Sequence, residues 1–125
     1  MSIRGLFRNC SGATAVEFAL TAPAFFALVI GGIQVGLLCW AQLALQQGSE
    51  AAARCASVNK TLCGNASQIK SYASAQSYGL APGPSAFTVS SMACGNMVRA
   101  SYAPSFLNGF VIPSVTLKAS ACFPA

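Results

Sequence analysis

The chain has 125 residues, of which 54% are hydrophobic and only 7% are charged, so it is not an ordinary soluble domain. Its formal net charge is +5, but the basic residues are scattered along the sequence and form no nucleic-acid-binding patch. The absence of histidine and the presence of only two acidic residues remove the commonest general bases and metal ligands. We therefore expect no enzymatic activity, no catalytic residue, no bound metal and no cofactor.

Residues 1–12 form a short polar leader that contains Arg4 and Arg8. The apolar run from Phe18 to Trp40 follows, and as a helix it would extend about 34 Å, enough to cross a bilayer. The basic leader places the N-terminal side in the cytoplasm and the C-terminus outside. The sequence thus predicts a single membrane-spanning segment over about 18–40.

Glu17 stands at the front edge of this apolar run, and no charged residue follows it until Glu50. A carboxylate within a membrane helix costs roughly 2.5–3.5 kcal/mol at the bilayer centre, so it requires a partner or access to the surface. Two interpretations remain open. Glu17 either meets a cation, such as an N-terminal amine created by cleavage after Gly12, or it reaches the membrane surface unpaired.

The apolar run contains a proline and a small face. Pro23 removes one helical hydrogen bond and predicts either a simple kink or a weak point at which the front of the helix can stretch. Gly32 and Gly36 have the spacing of helix pairs that approach closely. We expect Pro23, Gly32 and Gly36 to contribute to helix packing.

The helix is expected to continue past Trp40, because Ala, Leu and Gln dominate the next residues. Glu50 and Arg54 are four residues apart, in the order that favours an intrahelical ion pair. The sequence predicts one long helix over 13–58, with its second half lying under a small domain.

Residues 59–125 are expected to form a small extracytoplasmic α+β domain. Asn65 can cap a short helix over about 66–78. Strand patterns follow at 86–94, 97–102 and 114–122, with a turn at Gly95-Asn96 between the first two. The predicted fold class is α+β: a long N-terminal transmembrane helix continues into a small disulfide-stapled domain with a short helix and a three-stranded antiparallel sheet.

The six cysteines separate by predicted location. Cys10 lies in the leader and Cys39 in the membrane run, while four cysteines lie on the oxidising side. Of the three possible pairings, we favour Cys55–Cys63 and Cys94–Cys122, which tether the helix end and two strand ends. Without histidine or C-x-x-C spacing, a metal site or a catalytic thiol is disfavoured.

Three kinds of N-terminal processing can be compared. A lipoprotein box needs a small residue before the modified cysteine, but Cys39 follows Leu38 and Cys55 follows Arg54, so neither fits. An ordinary secretory signal has a shorter apolar core, although cleavage near Glu50-Ala51-Ala52-Ala53 stays open as an alternative. The third kind is a cut on the cytoplasmic side of the apolar run, which leaves the helix attached.

The residues around this third kind of cleavage site resemble those of a known family. The stretch Gly12-Ala13-Thr14-Ala15-Val16-Glu17-Phe18 resembles the prepilin cleavage motif of the Flp/Tad class of type IV pilins. From Gly12 to Ser57 the chain resembles a TadE-like minor pilin or pseudopilin, with Pro23, Gly32 and Gly36 in place. Residues 98–104 and 115–121 also resemble that family's last strands, but the four outer cysteines are not part of its core motif.

The resemblance implies that a prepilin peptidase cuts between Gly12 and Ala13. Glu17 would then set the assembly register by meeting the Ala13 amine of a neighbouring subunit. The expected partners are this peptidase, other pilin subunits, the inner-membrane assembly platform and the membrane, with no nucleic acid. The expected location is the bacterial inner membrane, single-pass with a periplasmic C-terminus, with later incorporation into a pilus. The alternative function is a membrane-anchored surface adhesion or binding module.

Overall fold

The computed structural model describes residues 12–107 and 113–125. The expectations for the leader, including Arg4, Arg8 and Cys10, lie outside the described residues. The elements are helices α1 (Ala13–Val58) and α2 (Ala66–Ala75) and strands β1 (Phe87–Met92), β2 (Gly95–Tyr102) and β3 (Leu117–Phe123), with 3-10 turns at Pro84–Ala86 and Ser105–Leu107. The predicted fold class is confirmed, including the long apolar helix, the short helix, the three-stranded antiparallel sheet and two disulfides.

The chain divides into two compact units, one ending at Val35 and the other covering Gly36–Ala125, and α1 contributes to both. In the first unit the helix exposes large apolar side chains, including Phe18 at 70%, Leu20 at 75% and Leu28 at 77%. An apolar window of α1 is long enough to cross a membrane, and only 11% of it is buried within the chain. This surface is consistent with a single-pass membrane anchor.

In the second unit α1 is buried through small side chains. Ala41, Ala44 and Ala52 are fully buried, and Leu45 is the large residue among them. Gly48 lies against α2, because a Cβ placed there would overlap Ser77 Oγ and lie 2.6 Å from the Ala73 carbonyl oxygen. The small residues let the two helices approach closely.

The expected Glu50–Arg54 ion pair is wrong for this structure. Glu50 Oε1 instead accepts a hydrogen bond from Gln46 Nε2 at 2.8 Å, and within the described residues Arg54 does not pair with it. The reason is geometric: Gln46 is also one helical turn from Glu50, on the side that faces the sheet. Both charged side chains remain exposed.

Helix α2 begins as predicted and ends early. Asn65 accepts a hydrogen bond from Gln68 N at 2.9 Å, and Gln68 Oε1 accepts one from Gly64 N at 3.0 Å, so the two side chains cap the helix reciprocally. The helix ends at Ala75 rather than near residue 78, because Ser77 turns its hydroxyl back to the Ala73 carbonyl and Tyr78 adopts a positive φ of 42°.

The sheet is an antiparallel meander of order β1-β2-β3. The predicted turn at Gly95-Asn96 is wrong: Met92 pairs with Gly95, and Asn96 also pairs within the sheet, so the hairpin turns at Ala93-Cys94. Gly95 has a φ of 121° and lies directly against Phe123, which excludes a side chain at this position.

One face of the sheet joins the two helices in a single core. Phe87 and Val98 are completely buried, and Leu117 and Ala119 are nearly so. In β3 these buried positions alternate with exposed Lys118 and Ser120. The alternation predicted for the last strand is therefore the one observed, although the strand begins at Leu117 rather than at residue 114.

The outer edge of β3 is covered by glutamines of α1. Gln42 Nε2 donates to the Lys118 carbonyl at 2.8 Å, and Gln46 Nε2 donates to the Ser120 carbonyl at 3.4 Å. Gln42 and Gln46 are four helical residues apart, a rise of about 6 Å, and Lys118 and Ser120 are two strand residues apart, about 6.8 Å. Because these distances are similar, successive glutamines reach successive outward-facing carbonyls. Satisfying these carbonyls protects an edge that would otherwise be open to pairing.

Two disulfides hold the ends of these elements, and they are the pairings favoured from the sequence. Cys55–Cys63 joins the last turn of α1 to the loop before α2, with a Cα–Cα distance of 5.8 Å. Cys94–Cys122 joins the β1–β2 turn to β3, with a Cα–Cα distance of 6.2 Å. The bridges restrict the unfolded chain of a domain with a small core.

Candidate functional site

The N-terminal end of α1 brings together the residues that the sequence singled out. The helix begins at Ala13, directly after Gly12. Gly12 is exposed, and a Cβ placed on it would meet nothing within 4 Å. The peptide bond between Gly12 and Ala13 therefore stands clear of the described residues, at a point where helical structure begins.

Glu17 lies one turn further along the helix and is exposed, as are the side chains around it. The nearest basic residue in sequence within the described part of the chain is Arg54, near the other end of α1. No described side chain therefore neutralises the Glu17 carboxylate. A carboxylate in an apolar segment needs a positive partner or access to the membrane surface, and the described part of the chain supplies no such partner.

Thr21 does not supply that group. Its hydroxyl donates to the Glu17 carbonyl oxygen at 2.9 Å and lies 3.3 Å from the Phe18 carbonyl oxygen. This hydrogen bond satisfies a hydroxyl within the apolar segment and leaves the Glu17 side chain free.

The three residues expected to contribute to helix packing lie in open surroundings. Helix α1 runs through Pro23, which has no amide hydrogen to donate to the Ala19 carbonyl. A Cβ placed on Gly32 or on Gly36 would meet nothing within 4 Å, each within its own unit. Both positions can therefore accept a neighbouring helix, and their packing role stays a prediction.

Among residues 12–107 and 113–125, no group of three or more His, Cys, Asp or Glu side chains could hold a metal ion. Cys39 is a free, exposed thiol, and the other four described cysteines are in disulfides.

A second feature was missed by sequence reasoning. Over residues 41–58, the exposed positions of α1 form one stripe, which we call the outer seam: Leu43, Gln47, Glu50, Arg54 and Val58. A groove of about 780 Å³ lies along its part from Gln47 to Val58, and Leu62, Tyr72 and Phe123 also line this groove. In the sequence these positions are marked only by their spacing of three and four residues. The buried faces of the helix have the same spacing, so the pattern alone does not show which face is exposed.

Comparison with known proteins shows which family the sequence of helix α1 resembles. A family model described as TadE-like protein matches residues 12–54, which include Gly12, Ala13 and Glu17 and most of α1. No curated protein and no solved structure matches the chain significantly. The family is associated with the Tad pilus and is structural rather than enzymatic. The resemblance found in the sequence is confirmed: residues 12–54 of this chain form a TadE-like segment, consistent with a TadE-like, pilin-related protein.

Proposed function

We propose that this chain is a structural or assembly subunit, a minor pilin or pseudopilin, of a Tad/Flp-type pilus or a related secretion system. The observation that carries the proposal is the combination at the head of α1: among the described residues the Gly12–Ala13 bond at the start of the helix is unobstructed, and Glu17 one turn later has no charged partner. The match to the TadE-like family over the same residues supports it.

In this proposal an inner-membrane prepilin peptidase cuts between Gly12 and Ala13. Gly12 has no side chain to obstruct an extended backbone, and Ala13 has only a methyl group. The cut removes the basic leader and creates a positively charged amine on Ala13. The apolar part of α1 then keeps the subunit in the membrane, with its second unit on the periplasmic side, until it is taken up by the assembly platform.

Glu17 selects the position of the next subunit. In a bundle of helices its carboxylate lies in an apolar environment, where an unpaired charge is strongly disfavoured. The Ala13 amine of an adjacent subunit satisfies it, and only one axial register brings the two together. The pair contributes register more than net stability, because desolvation of both charges offsets much of their attraction.

The test compares Glu17→Ala with Thr21→Val in cells that assemble the pilus. Glu17→Ala should leave cleavage after Gly12 largely intact but reduce incorporation into sheared filaments, measured by quantitative immunoblotting. Thr21→Val is the matched control, because among the described residues the Thr21 hydroxyl donates only to its own helix backbone. Equal incorporation of both variants would refute the pairing of Glu17.

A further inference from the structure

The outer seam has the spacing of a helix–helix contact. Gly36 and Trp40 extend the outer seam toward the N-terminus, and the positions Gly36, Trp40, Leu43, Gln47, Glu50 and Arg54 are separated alternately by four and three residues; Leu37 and Cys39 are exposed beside them. This is the a/d spacing of helices that pack side by side as a coiled coil. Each of these residues lies in the second unit, and within the described residues no element of the chain covers them.

We propose that the outer seam binds the outer seam of a second copy of this chain, in parallel and staggered by four residues, with Arg54 of one copy against Glu50 of the next. The inference rests on the proposed function in one respect. Helices anchored in the same membrane with the same topology run parallel, which excludes an antiparallel pair.

Charge selects the stagger. If two parallel copies were in register, Glu50 would face Glu50 and Arg54 would face Arg54, and both contacts would be repulsive. A shift of four residues, about 6 Å along the helix axis, replaces both with an attractive pair. Glu50 and Arg54 are available for it, because within residues 12–107 and 113–125 neither forms an ion pair, and Glu50 accepts a neutral hydrogen bond from Gln46.

Side-chain volume selects the same stagger. The four-residue shift places Trp40 of one copy level with Gly36 of the next, where a Cβ would meet nothing within 4 Å. In register, two Trp40 side chains would instead face each other, and the space beside Gly36 would stay empty. Large residues opposite small ones pack most closely between helices. The four-residue shift also places Gln47 of one copy level with Leu43 of the next, and both residues are exposed.

A staggered contact of this kind uses different residues on the two copies, so it does not close into a symmetric dimer. It is therefore a heterologous contact between two copies. The seam therefore supplies a contact between subunits that is separate from the one proposed for Glu17.

The stagger is tested by disulfide cross-linking of the full-length chain in membranes, with Cys10→Ser and Cys39→Ser as the background. Two differently tagged chains are co-expressed, one with Leu43→Cys and the other with Gln47→Cys. The mixed disulfide should form several times faster than the homodimer of either variant. Equal or faster homodimer formation would indicate an in-register pair and overturn the proposal, and so would the absence of cross-links in all combinations.

A second experiment exchanges the charges of Glu50 and Arg54 in the same cross-linking assay. Glu50→Arg should reduce the mixed cross-link about threefold to tenfold, because it replaces an attraction with a repulsion. Adding Arg54→Glu to the same chains should restore it, since the pair is then reversed but still complementary. Arg99→Glu, a charge reversal at an exposed position of β2, is the matched control and should have no effect. Failure of the restoration would refute the charge pairing.

The outcome is independent of N-terminal processing. If the leader is removed after Gly12 but neither cross-linking pattern appears, the seam inference fails and the proposed function stands. If the staggered cross-link forms in chains that keep their leader, the seam contact stands without the processing step.

Discussion

Gly48 is the position at which a single methyl group should cost the most stability. It lies where α1 crosses α2, and a Cβ there would overlap Ser77 Oγ and lie 2.6 Å from the Ala73 carbonyl oxygen. Ser77 cannot move aside easily, because it is fully buried and its hydroxyl donates to that same carbonyl at 2.7 Å. The helices must therefore separate or the hydrogen bond must break.

The expected magnitude follows from opposing terms. Replacing glycine with alanine inside a helix contributes about 0.5–1 kcal/mol of stability. Overpacking costs about 1–3 kcal/mol, and a buried hydrogen bond that is lost costs about 1–3 kcal/mol more. We predict that Gly48→Ala lowers the free energy of unfolding by about 1–5 kcal/mol overall, the upper end applying if the hydrogen bond is lost as well.

The assay is denaturant-induced unfolding of the full-length chain in detergent micelles, followed by circular dichroism. Gly31→Ala is the matched control, because a Cβ at Gly31 meets nothing within 4 Å and should leave stability equal or slightly higher. Adding Ser77→Ala to Gly48→Ala should recover part of the loss, since the carbonyl clash remains. A Gly48→Ala chain as stable as the native one would refute the close approach of the two helices.

Three further predictions concern the second unit, all measured by the same unfolding assay. Asn65→Ala should cost about 1 kcal/mol because the amide of Gln68 loses its capping oxygen, and a change below the error of the assay would contradict the cap. Replacing Cys94 and Cys122 by serine should cost about 3–4 kcal/mol in the chain-entropy account. The same change at Cys55 and Cys63 should cost about 2–3 kcal/mol, because the bridges span 28 and 8 residues respectively, and the reverse order would contradict that account.

Much of this fold could be predicted from the sequence, because its strongest signals are local. The uninterrupted apolar run and the good helix formers after Trp40 required a long helix, and the alternation from Leu117 to Ala121 required a strand with one buried face. The candidate site at Gly12, Ala13 and Glu17 is likewise a short contiguous pattern, which no tertiary contact is needed to recognise.

The predictions that were wrong depended on competition between local and tertiary interactions. Gly95 has the composition of a turn, but it is required within β2 because Phe123 leaves no room for a side chain. Glu50 is spaced for a bond to Arg54, but Gln46 provides a donor at the same spacing. Neither choice can be made without knowing which elements lie nearby.

The outer seam could not be predicted for a related reason. Ala, Leu and Gln occur on every face of the second half of α1, so composition does not indicate which face the domain covers. Only the packing of α2 and the sheet leaves Leu43, Gln47 and Glu50 exposed while Ala44 and Leu45 are buried.

The central claim is that a new amine at Ala13 exists to meet Glu17, and the most direct measurement is the N-terminal mass of the mature chain. Intact-protein and N-terminal peptide mass spectrometry, performed on membranes and on sheared filaments, should find a chain that begins at Ala13 with both disulfides formed. Recovery of chains that begin only at Met1 or Ser2 would contradict the account, because Glu17 would then have no amine to meet.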